Sequence, residues 1–165
     1  MKTLNLKSTI FVALLTAAVP AFAGNIDLPL PLVPIHGPWQ VSINPVNCND
    51  GTPFPFVFVT YVTFATGGTV AETTSAPNFD PGQRTGGQGY WEYTGRKTYR
   101  AHYQAFVLFD SANGPYTRGT QVFDHSIEMT DRDHWASDVL VNFYNTSGLK
   151  VPPSGCAKAS AVRMQ

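Results

Sequence analysis

Residues 98–110, TYRAHYQAFVLFD, place an apolar or aromatic side chain at every second position: Tyr99, Ala101, Tyr103, Ala105, Val107 and Phe109. The residues between them, Arg100, His102 and Gln104, are polar. A period of two puts one set of side chains on each face of an extended strand and cannot form one face of a helix. The same alternation recurs along the chain, and no window has a convincing helical period. The predicted strands are 38–46, 55–65, 69–74, 88–94, 98–110, 117–129, 134–144 and 156–164. Turn signals such as Thr66-Gly67-Gly68 and Gly95-Arg96-Lys97 separate several of them, and the breaker-rich segments 74–87 and 145–155 read as loops. Eight consecutive strands joined this way predict an all-β, eight-stranded antiparallel up-and-down β-barrel, with a β-sandwich as the second choice.

The faces set the register. In 117–129 the apolar set is Phe123, His125, Ile127 and Met129, and in 134–144 it is Trp135, Ser137, Val139, Val141 and Phe143. Cross-strand partners share a face, so Met129 must oppose Trp135 and His125 must oppose Val139. That requires an odd-length turn around Asp131-Arg132-Asp133; a two-residue turn would point the two apolar sets in opposite directions. Likewise Phe64 pairs with Val70 and Val62 with Glu72, which turns Glu72 inward.

The ends bear on compartment. Lys2 and Lys7, the apolar run Ile10–Val19 and the small-x-small triplet Ala21-Phe22-Ala23 follow the order of a secretory signal peptide, so 1–23 is expected to be removed. Segment 24–36 holds Pro29, Pro31 and Pro34 and reads as an extended lead-in that packs across one barrel end; 37–165 is the barrel domain. Cys48 and Cys156 are the only cysteines, and in an oxidising compartment such a pair forms a disulfide. It would join the end of the first strand to the start of the last, as barrel closure requires. The expected location is secreted or periplasmic. No other apolar run is long enough to span a bilayer, so membrane insertion is not expected. Without Lys2 and Lys7, nine basic residues stand against eleven acidic ones. With no basic cluster, nucleic acid is not an expected partner.

The predicted lumen is ring-rich, with a few polar groups. Trp91, Tyr99, Tyr103, Phe123, His125 and Trp135 are the candidate contacts for a small hydrophobic or aromatic ligand. Glu72 and His125 are the acid–base candidates for a second reading, a small barrel enzyme acting on a hydrophobic substrate. A Ser137–His125–Glu72 triad can be assembled on paper, but such choices are nearly free in any chain. The chain has no nucleophile elbow, HExxH pair or phosphate-binding glycine loop. His36, His102, His125 and His134 fall on different strands or faces, so neither a metal site nor a cofactor is expected.

The stretch HGPWQVSI carries Gly37-x-Trp39 at the start of the first strand and resembles the signature of the lipocalin/calycin superfamily. The phrases FATGGTVAETT, GQGYWEYTGRKTYRAHYQAFVLFD and GCAKASAVRM are similar to those of a group of small exported bacterial lipocalin-like proteins. Pro38 within the triplet, and no visible second lipocalin motif, make the likeness one to the wider calycin group. It implies an up-and-down barrel and a basic residue from near the chain's end, here Arg163, stacked across Trp39. Its members include ligand carriers, and similar barrels act as cyclases or isomerases. The likeness itself carries no activity to this chain.

Overall fold

In the computed structural model the described residues are 34–112 and 116–165. The expected leader and most of the lead-in, 24–33, lie outside them. The chain forms eight strands: β1 (Gly37–Val46), β2 (Phe58–Phe64), β3 (Thr69–Thr74), β4 (Gly87–Gly95), β5 (Thr98–Val107), β6 (Gly119–Met129), β7 (His134–Asn145) and β8 (Lys150–Arg163). Each pairs antiparallel with the next, and β8 pairs with β1, which closes the barrel. Among the described residues no helix is long and apolar enough to cross a membrane.

The register follows the faces. Met129 opposes Trp135 and His125 opposes Val139. Phe64 opposes Val70, and Val62 opposes Glu72. Gly67 and Gly68 turn the β2–β3 connection with φ of 98° and 92°, values that favour glycine. Along β5, Tyr99, Ala101, Tyr103, Ala105 and Val107 are buried, while Arg100, Gln104 and Phe106 are exposed. His102 lies on the outer face, bonded through Nδ1 to Asp124 Oδ1 at 2.8 Å and stacked on Tyr90.

Three boundaries differ from expectation by three residues or more. β2 begins at Phe58, not at 55: Pro55 has no N–H to give a ladder, and Phe54, Phe56 and Val57 are exposed. β5 stops at Val107, after which the Leu108 N–H donates to Gln83 O instead. β8 begins at Lys150, within the expected loop. Its prolines are accommodated because the β7–β8 register shifts: Val141 faces Gly155 and Phe143 faces Val151, so Pro152, Pro153 and Ser154 bulge opposite Asn142.

One half of the lumen is filled. Trp39 packs edge-to-face on Trp135, their ring centroids 6.1 Å apart, and Phe64 meets Trp135 in the same manner. Tyr99, Met129, Val41 and Val62 complete this packed half. The Trp39 indole N–H donates to Ile35 O at 2.7 Å, which ties the end of the lead-in to the core. Arg163 seals the same end, its guanidinium carbon 4.1 Å from the Trp39 ring centroid. It donates to His36 O at 2.6 Å, to Pro34 O and Arg132 O at 3.0 Å, and to the Asp133 carboxylate at 3.1 Å.

At the other end Cys48 and Cys156 form a disulfide across 108 residues of chain. In the chain-entropy account a loop of that length stabilises by about 4–5 kcal/mol. Arg163→Met retains an apolar stem but loses these bonds and the cation–π contact. It is expected to lower unfolding free energy by about 2–3 kcal/mol, measured by urea denaturation. A loss below about 0.5 kcal/mol would show that the seal contributes nothing.

Candidate functional site

The half of the barrel away from Trp39 holds a cavity of about 180 Å³. Its walls come from alternate residues of β1, β2, β6, β7 and β8: Ile43, Phe58, Phe123, Val139, Val141 and Ala157. The β1–β2 loop adds Phe56, and Phe79 and Tyr116 stand on the connections beside it. The wall residues on β8 are small, Gly155, Cys156 and Ala157.

The floor is polar. Glu72 projects inward from β3 and accepts from Thr60 Oγ1 at 2.9 Å, Arg84 Nη2 at 3.0 Å and the Gly87 N–H at 3.2 Å. Gly87 stands opposite Glu72, and a Cβ there would come within 2.7 Å of the carboxylate and 2.8 Å of the Tyr103 ring. Glycine is what allows carboxylate, ring and backbone to meet. Arg84 comes from the β3–β4 connection. That segment runs back along β5, the Thr85 N–H donating to Phe106 O and Arg84 bridging Val107. The Arg84 and Glu72 side chains are each only 3% exposed. Arg84 Nε also donates to Gln121 Oε1 at 2.6 Å, and the guanidinium carbon lies 5.3 Å from the Phe123 ring centroid.

Behind this floor runs a second polar chain. The Tyr103 hydroxyl is 2.9 Å from His125 Nε2, and His125 Nδ1 is 2.9 Å from Ser137 Oγ. Burial lowers the His125 pKa from 6.5 to about 4, against a smaller opposing effect of Asp124. The imidazole is therefore neutral, with a single N–H, so one hydroxyl donates to it and the other accepts from it. Burial, and then the charge of Glu72, raise the Tyr103 pKa well above its ordinary value, so the phenol keeps its proton.

Of the residues singled out from sequence, Tyr103 and Phe123 line the cavity, their rings stacked 4.9 Å apart. Glu72 is in the floor, and His125 lies behind Tyr103. Trp91, Tyr99 and Trp135 sit in the packed half: Tyr99 and Trp135 belong to its core, and Trp91 packs against Phe64 and Tyr99 while donating to Ala65 O. Ser137 and His125 meet as in the paper triad. The other ring nitrogen belongs to Tyr103, and the Glu72 carboxylate is held by Thr60, Arg84 and Gly87.

Arg84 and Gln121 are cavity-lining polar residues that sequence reasoning missed. Gln121 shares the parity of Phe123 and His125, which marks it as inward-facing. For Arg84 the only signal was indirect: an inward Glu72 needs a cation, and Arg84 lies in the connection leaving that strand. Comparison with protein-family models and with curated proteins returns no match to the chain.

The buried imidazole has a pH signature. In the unfolded chain it binds its proton near pH 6.5, in the folded one only near 4. Its contribution to stability is thus full above pH 6.5 and is lost as pH falls from there towards 4, a total of about 3 kcal/mol. Unfolding free energies of the wild type and His125→Asn, measured between pH 7.5 and 4, are expected to diverge in slope over that window. Parallel curves would mean that His125 is not buried and neutral.

Proposed function

We propose that the protein is an exported, calycin-like binding protein that holds one small, mainly apolar or aromatic molecule in the unfilled half of its barrel. The observation that carries this reading is the cavity itself. It is concave, walled by aromatic and aliphatic side chains, and floored by a few convergent polar groups, the usual form of a small-molecule site. An apolar cavity of roughly 150 Å³ takes up benzene. A volume of about 180 Å³ therefore suits one substituted ring, with any longer portion leaving through the mouth. Tyr103 and Phe123 are the ring contacts, Val139 and Val141 the aliphatic ones. The disulfide fits an oxidising compartment, and Trp39 beneath Arg163 fits the calycin likeness.

The enzymatic alternative has less support. Glu72 faces the cavity but is clamped by three donors, and the neutral His125 stands behind Tyr103 with both ring nitrogens engaged.

Gly155 offers a test. A Cβ there would meet Val141 Cβ at 3.5 Å, an ordinary contact, so Gly155→Leu adds a side chain to the cavity wall at little backbone cost. Native mass spectrometry of protein purified from its own source is expected to show a small molecule on the wild type. Gly155→Leu, unchanged in far-UV circular dichroism, should lack it or retain less than a tenth. Wild-type protein free of any adduct, and unable to take up a fluorescent hydrophobic probe, would remove the binding reading.

A further inference from the structure

The walls of the cavity say that the ligand is apolar; the floor says which end of it enters first. The donor and acceptor inventory there is lopsided. Glu72 already accepts three hydrogen bonds. Arg84 has five N–H groups and uses one on Gln121 Oε1, one on Thr85 O and one on Glu72, which leaves one on each terminal nitrogen without a partner among the described residues. Gln121 uses its carbonyl oxygen on Arg84, and its amide nitrogen has no partner among the described residues. The Tyr103 hydroxyl is engaged with His125. The floor therefore has N–H donors to spare, while each of its carboxylate and amide oxygens already holds at least one hydrogen bond.

The charges lead the same way. Glu72 and Arg84 cancel each other at 3.0 Å, with both side chains 3% exposed. A carboxylate entering the cavity would be a third buried charge, facing an arginine that already has its counterion. An ammonium would face a glutamate in the same condition. Either ion loses its hydration without gaining an unpaired partner. A neutral acceptor escapes that cost and occupies donors that a purely apolar ligand would leave unbonded.

Building on the binding reading above, we infer that the ligand is a neutral molecule with a carbonyl or equivalent hydrogen-bond acceptor at the end that reaches Arg84 and Gln121, and an apolar or aromatic body along Phe123, Val139 and Val141. Carboxylic acid anions and amines of the same size are excluded by the paired floor.

The test uses wild-type protein and four probes of similar size: acetophenone, α-methylstyrene, benzoate and benzylammonium. The first two have nearly the same shape and differ by C=O against C=CH₂. At pH 7.5, calorimetric or NMR titration is expected to give acetophenone an affinity about fivefold or more above α-methylstyrene, the value of one or two net hydrogen bonds. Benzoate and benzylammonium should bind at least tenfold more weakly than acetophenone. In Glu72→Gln the Arg84 charge loses its counterion, so benzoate should gain at least tenfold over its wild-type affinity. Equal binding of acetophenone and α-methylstyrene would overturn the inference and leave the binding reading intact, as would benzoate binding tightest to the wild type. Failure of all four to bind at millimolar concentration would take both away. The wild-type series decides the matter even if Glu72→Gln does not fold.

Discussion

The interior of an eight-stranded barrel has a nearly fixed volume, and everything else in this molecule follows from where that volume is spent. Strand number and stagger set the diameter, which is just enough for side chains to fill or for one small ligand to enter. Here the tryptophan rings are concentrated at one end. Trp39, Trp135, Phe64 and Tyr99 interlock there, and Arg163 closes over Trp39 from outside. At the other end the strands contribute Phe58, Tyr103, Phe123 and Phe143 together with Thr60, Val139, Val141, Gly155 and Ala157, and these groups leave a volume of about 180 Å³ between them. The packed core and the cavity thus divide the barrel interior between them.

A second constraint acts where the two halves meet. Glu72 points inward because it opposes Val62 in a register that also buries Phe64 and Val70. A single buried carboxylate is too costly to leave alone. Its counterion comes from the β3–β4 connection, which folds back along β5 and delivers Arg84 through the mouth. Removing one partner of such a pair costs roughly 3–5 kcal/mol, so the connection is anchored to the barrel interior rather than lying loosely over it. The scaffold fixes the shape of the cavity, and a loop residue fixes its polarity.

This division explains what was legible beforehand. Alternation is a local property, so the inward faces of β5, β6 and β7 could be read residue by residue, and cross-strand parity then set the odd turn between Met129 and Trp135. The Cys48–Cys156 pair needed only chain position and residue type, whereas the Trp39–Arg163 stack was an implication of the calycin resemblance. Arg84 has neither kind of signal: it sits in a run of prolines, glycines and polar residues with no period. Its burial depends on a carboxylate 12 residues earlier and a glutamine 37 residues later meeting in space. Trp91, Tyr99 and Trp135 share inward parity with Tyr103 and Phe123, and parity says nothing about depth along the barrel. Which inward rings pack and which border space depends on how far each lies from the sealed end. The prolines of β8 misled for a related reason. They break a regular ladder, and the ladder there carries a bulge.

The polar groups also bear on the choice, proposed above, between holding a molecule and transforming one. General acid–base work needs a group whose proton affinity lies near that of the medium and whose reactive atom can reach the substrate. His125 falls short on both counts. Burial holds it neutral down to about pH 4, and Tyr103 stands between it and the cavity. Tyr103 is pushed in the other direction and keeps its proton. Glu72, the carboxylate in the floor, is held in place by Thr60, Arg84 and the Gly87 N–H. His125 and Tyr103 share a hydrogen bond and Glu72 is bonded to Arg84, so a proton moved to or from any of them would disrupt bonds to its neighbours. A network that resists proton movement is a rigid, directional surface, which is what orienting a neutral ligand requires.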